Sequence, residues 1–127
     1  MGYTTAWQIE KRVMLVRIEN DLTTEVVEGL SRNLTPMLDV GIAPVHYISD
    51  VTHATNININ AFKIPAALDF LKHPNMGWSV MVGGSQVLNV VANIVGSITG
   101  AKFKTAESVE EAIQILQNID PTLRDSA

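Results

Sequence analysis

Asp50, Thr52, His53 and Thr55 bring four polar side chains together at the end of an apolar, β-branched run, VHYISDV. An acid close to a histidine can orient a general base, and the two hydroxyls are candidate phospho-acceptors. His46 in the same run adds a second imidazole, so a metal site has to be considered. In a regular strand His46 and His53 are an odd number of residues apart and face opposite sides, which argues against a shared metal. The competing reading needs no ligand: Asp50 or Thr55 bonds the backbone amides of a turn. A second candidate is Gly83-Gly84-Ser85, whose free amides ahead of a helix would suit an anion. No Gly-Lys-Ser/Thr follows, no dinucleotide fingerprint is present, and Ser85 lacks the Gly-x-Ser-x-Gly setting of a hydrolase. A glycine pair at a tight turn also explains itself. No catalytic residue, cofactor or metal ligand is assigned.

These residues depend on the elements that carry them. Trp7 and Ile9 alternate with Gln8 and Glu10, a charged turn Glu10-Lys11-Arg12 follows, and VMLVRI from Val13 to Ile18 is apolar on both faces. That pattern predicts a hairpin whose second strand is interior. Val26, Val27, Leu30, Leu34, Met37 and Leu38 keep a helical period from about Thr24 to Val40, with Gly41 as the stop. Pro36 falls inside this period and predicts a kink, or a restart with Thr35 as a new cap. Val45 to Val51 is a strand. The NININ segment alternates like a strand but is expected to be a loop through Asn60, a mobile lid, a partner-binding edge or simply a connection ahead of Pro65. A helix then runs from about Pro65 to Lys72.

The stretch from Pro74 to Ala101 contains no charged residue, which raises the question of a membrane span. Its length permits one. Gly83-Gly84-Ser85 and the amides of Gln86, Asn89 and Asn93 argue for a strand, Trp78 to Val82, a turn, and a helix from about Gln86 to Thr99. The polar residues of that helix form one narrow stripe, leaving Val87, Val91, Ile94, Val95 and Ile98 in a wide apolar arc. So wide an arc is expected to meet a second surface as an oligomer interface, or to line a pocket for an apolar small molecule. Lys102-Phe103-Lys104 reads as a short edge strand, and Ser108-Val109-Glu110-Glu111 as a capping box opening an amphipathic helix.

The order ββαβαβαβα predicts one α/β domain over residues 1–127, with its core at about 4–118, a mostly parallel sheet and helices packed on it. Ligands and partners of such sheets gather at the carboxyl ends of the strands, where Asp50, Thr52, His53, Thr55, Gly83, Gly84 and Ser85 fall. A chain of 127 residues with a net charge of −4, no cysteine and scattered basic residues offers no thiol chemistry and no nucleic-acid footprint. Without a basic and apolar leader, a cytoplasmic protein is expected. Trp7 and Trp78 are expected in packing roles.

The same order of elements, with the segments VHYISDVT, GWSVMVGG and AKFKTAESVEEAIQIL, resembles the STAS and SpoIIAA-like superfamily, the fold of anti-sigma-factor antagonists. The resemblance implies a non-catalytic regulatory or protein-interaction module. In regulatory members it implies phosphorylation of a Ser or Thr in an Asp-Ser-x-Gly-like turn after the third strand. Here the comparable segment reads His53-Ala54-Thr55-Asn56, without that Asp-Ser pair or a glycine, and leaves Thr52 and Thr55 as the candidate acceptors. The likeness is closer to the broader SpoIIAA-like branch, similar in fold to CRAL-TRIO domains, which implies a carrier or sensor of an apolar molecule or lipid as the alternative. The expected partner is a protein, with self-association, and no nucleic acid.

Overall fold

The computed structural model describes residues 3–58, 69–83, 93, 100 and 102–126, with backbone only at 56–58, 125 and 126. Among the described residues five strands form one sheet in the order β1-β2-β3-β4-β5. They are β1 (Tyr3–Ile9), β2 (Val13–Thr23), β3 (Val45–Asn58), β4 (Met76–Val82) and β5 (Lys102–Ala106). The opening hairpin is antiparallel, and every later pair is parallel, as the alternation of strands and helices requires.

Helix α1 (Thr24–Val40) covers one face, and α2 (Val109–Ile119) with the short α3 (Leu123–Ser126) covers the other. Residues at alternate positions of the interior strands sort between two cores. Met14, Val16, Tyr47, Val51 and Met81 pack with Leu30, Leu34 and Leu38 of α1, joined by Phe70 and Leu71 of a single 3-10 turn, Asp69–Lys72. Val13, Ile48, Val80 and Val82 pack with Ala112 and Leu116 of α2 and with Leu123. The apolar-on-both-faces reading of Val13 to Ile18 is therefore met by a helix on each side.

Both helices begin as their sequences dictate. Thr23 Oγ1 accepts the Val26 N–H at 3.2 Å, and Ser108 Oγ accepts the Glu111 N–H at 3.1 Å. Helix α1 does not restart at Pro36: it continues to Val40, and the Thr35 hydroxyl donates back to the Ser31 carbonyl at 2.8 Å instead of capping a new helix. Pro36 is exposed, so its ring needs no space in the core. Gly41 ends the helix in an extended conformation, and the absence of a side chain there is a packing matter: a Cβ would lie 2.5 Å from Val45 Cγ2.

β3 does not stop at Val51. It continues through Asn58, alongside a β2 that runs on to Thr23, so the expected loop at Asn56-Ile57-Asn58 is strand. The alternation of that segment was a true strand signal, outweighed in the sequence by the Pro65 that follows it. The start of the expected helix near Pro65 lies outside the described residues, and its end at Lys72 is the 3-10 turn. The expected helix from Gln86 to Thr99 also lies outside them, except that Asn93 is helical and exposed.

Candidate functional site

At the carboxyl end of the sheet β4 stops with Val82 opposite Asp50, while β2 and β3 continue as a two-stranded parallel ribbon. The register of this ribbon is broken twice, both times by an extra residue on β3. Arg17 pairs with Asp50 and Glu19 with His53, so Val51 and Thr52 together face Ile18 alone. Asn20 pairs with Ala54 and Asp21 with Asn56, so Thr55 has no opposite number. Both candidate phospho-acceptors thus sit in β-bulges, where a strand bends and re-aims its side chains. Asn20, in the left-handed region at φ 65°, takes up part of the second irregularity.

Around the first bulge, Asp50 Oδ1 accepts both the Thr52 backbone N–H at 3.1 Å and the Thr52 hydroxyl at 2.6 Å. Its other oxygen, Oδ2, lies 3.7 Å from Arg17 Nε. Asp50 is therefore engaged in holding the bulge, as the turn-bonding reading of the sequence anticipated. Thr52, His53 and Thr55 are exposed, and neither His53 nor Thr55 has a side-chain hydrogen bond to another described residue. Gly83 closes the site from β4. Its φ of +71° is one that side-chain-bearing residues rarely adopt, and a Cβ there would fall on the Thr52 hydroxyl. Gly83→Ala is accordingly expected to lower unfolding free energy by about 2 kcal/mol and to disturb the Asp50–Thr52 contact, read by urea denaturation and by the Thr52 amide shift. Gly84, Ser85 and the expected interface residues Val87, Val91, Ile94, Val95 and Ile98 lie outside the described residues.

The opposite end of the sheet holds a cluster that the sequence did not disclose. Arg12, read there as part of a charged turn, is only 8% exposed. Its guanidinium donates to Asp120 Oδ2 at 2.9 Å and to Thr122 Oγ1 at 3.0 Å, and its Nε donates to the Pro44 carbonyl at 3.3 Å. His46, 1% exposed, places Nε2 2.9 Å from the same Asp120 oxygen, while its Nδ1 accepts the Trp78 backbone N–H at 3.0 Å. The acceptor role of Nδ1 fixes the neutral tautomer with its proton on Nε2. Burial holds the His46 pKa below 6.5, although Asp120 pulls it the other way. Burial alone would raise the Asp120 carboxyl, but hydrogen bonds from His46 and from the Thr122 side chain and backbone outweigh it and leave the group below its ordinary value.

A histidine beside an aspartate suggests a catalytic dyad, but both ring nitrogens of His46 are committed inside the fold. The cluster ties the start of β2, the start of β3 and the end of α2 together. No sequence motif could have found it, because Arg12 and Asp120 lie 108 positions apart. His73 is used in a similar way: its Nε2 is 2.8 Å from Asp39 Oδ1 and its Nδ1 accepts the Asn75 N–H at 3.0 Å, beside an Asn75 side chain that donates to the Leu38 carbonyl. Of the three histidines, His53 alone is exposed. Among the described residues no group of three or more His, Asp or Glu side chains could hold a metal ion, and no helix is long and apolar enough to cross a membrane.

No family model matches the chain, and no curated protein does. Solved structures resemble it, among them two that match over most of their length. One is an uncharacterized protein of the DUF3478 family with a SpoIIAA-like fold from Shewanella loihica PV-4, at 16% identity and a TM-score of 0.66, covering 91% of this chain and 94% of that one. The other is the anti-sigma factor antagonist SpoIIAA in its unphosphorylated form, at 13% identity and a TM-score of 0.64, covering 91% of this chain and 96% of that one. With its mostly parallel sheet between helices, this chain has the STAS and SpoIIAA-like fold.

Proposed function

We propose that the protein is a non-catalytic regulatory module that docks a protein partner through the bulged end of β3, with Thr52 and Thr55 as the positions where a switch acts. The observation that carries this reading is the pair of bulges, which present two exposed hydroxyls on a ribbon that outruns the rest of the sheet. The surface comprises Asp50, Thr52, His53, Thr55 and Gly83, together with Gly84 and Ser85 that follow in sequence. The likeness in fold to an anti-sigma factor antagonist supports the same class of function. A phosphate on Thr52 would bring roughly two negative charges against Asp50, whose carboxylate oxygen now lies 2.6 Å from the hydroxyl. Repulsion would open the Asp50–Thr52 contact and free Arg17 for the phosphate, changing the shape and charge of the docking surface.

The test compares wild type with the Thr52→Ala/Thr55→Ala and Thr52→Glu/Thr55→Glu pairs. Proteins retained from an extract of the source cells are identified by mass spectrometry, and the leading one is purified and titrated. The glutamate pair is expected to change its Kd by at least tenfold, as like charge introduced at an interface does. A partner indifferent to both pairs removes the reading. Self-association through the apolar arc of Val87, Val91, Ile94, Val95 and Ile98 is part of the proposal, and native mass spectrometry over a concentration series tests it. A concentration-dependent dimer with no added mass supports it. A monomer carrying a reproducible small-molecule adduct transfers the arc to an apolar-ligand carrier.

A further inference from the structure

Among the described residues β5 ends the sheet on the side opposite the hairpin, and its alternate residues Lys102 and Lys104 project on the same face as Trp78 of β4. Each ammonium lies 5.6 Å from the centroid of the Trp78 ring. Neither lysine has an ion pair among the described residues, and the uncharged stretch that leads into β5 has no carboxylate to offer them. Two like charges share one aromatic ring, in a protein whose net charge is −4. Attraction to the ring quadrupole gathers the two ammonium groups but does not neutralise them. Lysines on an edge strand also prevent copies of the chain from pairing there, because Lys102 and Lys104 of one copy would face positive charge on the next.

We infer that the β5 edge receives an extended acidic segment of a partner protein, which adds to the sheet as a sixth strand with carboxylates at alternate residues facing Lys102 and Lys104. The spacing of the lysines matches the two-residue repeat of a strand, and opposite charges directly across a strand pair attract. Main-chain hydrogen bonds supply affinity in this mode of recognition, and the charges supply the choice of partner. This edge is distinct from the Thr52 and Thr55 surface, so either site can fail without the other.

The probe is a blocked heptapeptide, TVEVEVT, titrated into the full chain carrying Trp7→Phe, so that tryptophan fluorescence reports on Trp78, with amide hydrogen exchange followed by NMR. Saturable binding, slowed exchange at alternate amides of β5, and about tenfold weaker binding of the Glu→Gln peptide TVQVQVT support the proposal. The exposed double variant Lys102→Glu/Lys104→Glu is expected to lose TVEVEVT and to gain the lysine peptide TVKVKVT. Absence of binding at millimolar peptide overturns the proposal, as does binding that the charge reversal leaves unchanged. Free glutamate or ATP quenching Trp78 as strongly as the peptide, without protection of β5 amides, would also overturn it and assign the lysines to a small anion.

Discussion

Asp120→Ala is expected to lower the unfolding free energy by about 3 kcal/mol, the scale of removing one partner from a buried ion pair. The loss comes from the groups left behind. Arg12 and His46 are 8% and 1% exposed, so water does not readily replace the carboxylate oxygen that both now contact. Urea denaturation reads the change as a lower midpoint at an unchanged slope. A loss of unfolding free energy below about 1 kcal/mol would show that the cluster is incidental to stability. The same cluster sets a pH dependence. His46 and Asp120 both have folded-state pKa values below their ordinary 6.5 and 3.8, so the folded state binds fewer protons than the unfolded chain. Their contribution is fully present above the unfolded values and is lost as pH falls through the folded ones. In wild type, stability should begin to decline below about pH 6.5 through His46 and decline again below about pH 3.8 through Asp120, each group contributing at most about 1.4 kcal/mol per pH unit. His46→Gln should flatten the first segment and, because the His46 imidazole helps hold the Asp120 carboxyl low, shrink the second without abolishing it.

Gly77→Ala is expected to destabilise the fold by about 3 kcal/mol although it adds a single methyl group. The new Cβ would stand 2.6 Å from His46 Nδ1 and 2.7 Å from Cε1, with Pro44 Cβ at 3.2 Å on another side. A flexible side chain would move aside. His46 cannot, because it is buried and held through both ring nitrogens, by Asp120 and by the Trp78 N–H that follows Gly77 itself. Relief therefore means breaking one of those bonds and leaving a buried polar group without a partner. Denaturation of the single variant and of Gly77→Ala/His46→Ala separates the causes. If the clash with the imidazole is responsible, the second substitution recovers part of the loss in the Gly77→Ala background, whereas it costs stability in wild type.

Most of the described elements were legible because each is written locally. Leu30, Leu34 and Leu38 at helical spacing, the capping box at Ser108, and the double-faced apolarity of Val13 to Ile18 depend on neighbours a few residues away. The mostly parallel pairing followed from their alternation, since strand-helix-strand units make parallel neighbours. The polar segment after Val51 was legible as a site but not in its shape. A bulge is a mismatch between two strands, and Thr52 and Thr55 became bulged only against Glu19, Asn20 and Asp21 of β2. Arg12 shows the limit most clearly: in sequence it is one charge in a turn, and its burial is decided by an Asp120 that the fold delivers from the far end of the chain. The sequence by itself determined most of the described elements, the class of fold and the polar strand end, because those rest on short-range periodicity. The tertiary structure alone decided which charges are buried, which threonines are re-aimed and which lysines share a tryptophan, because those depend on contacts between segments that no local pattern encodes.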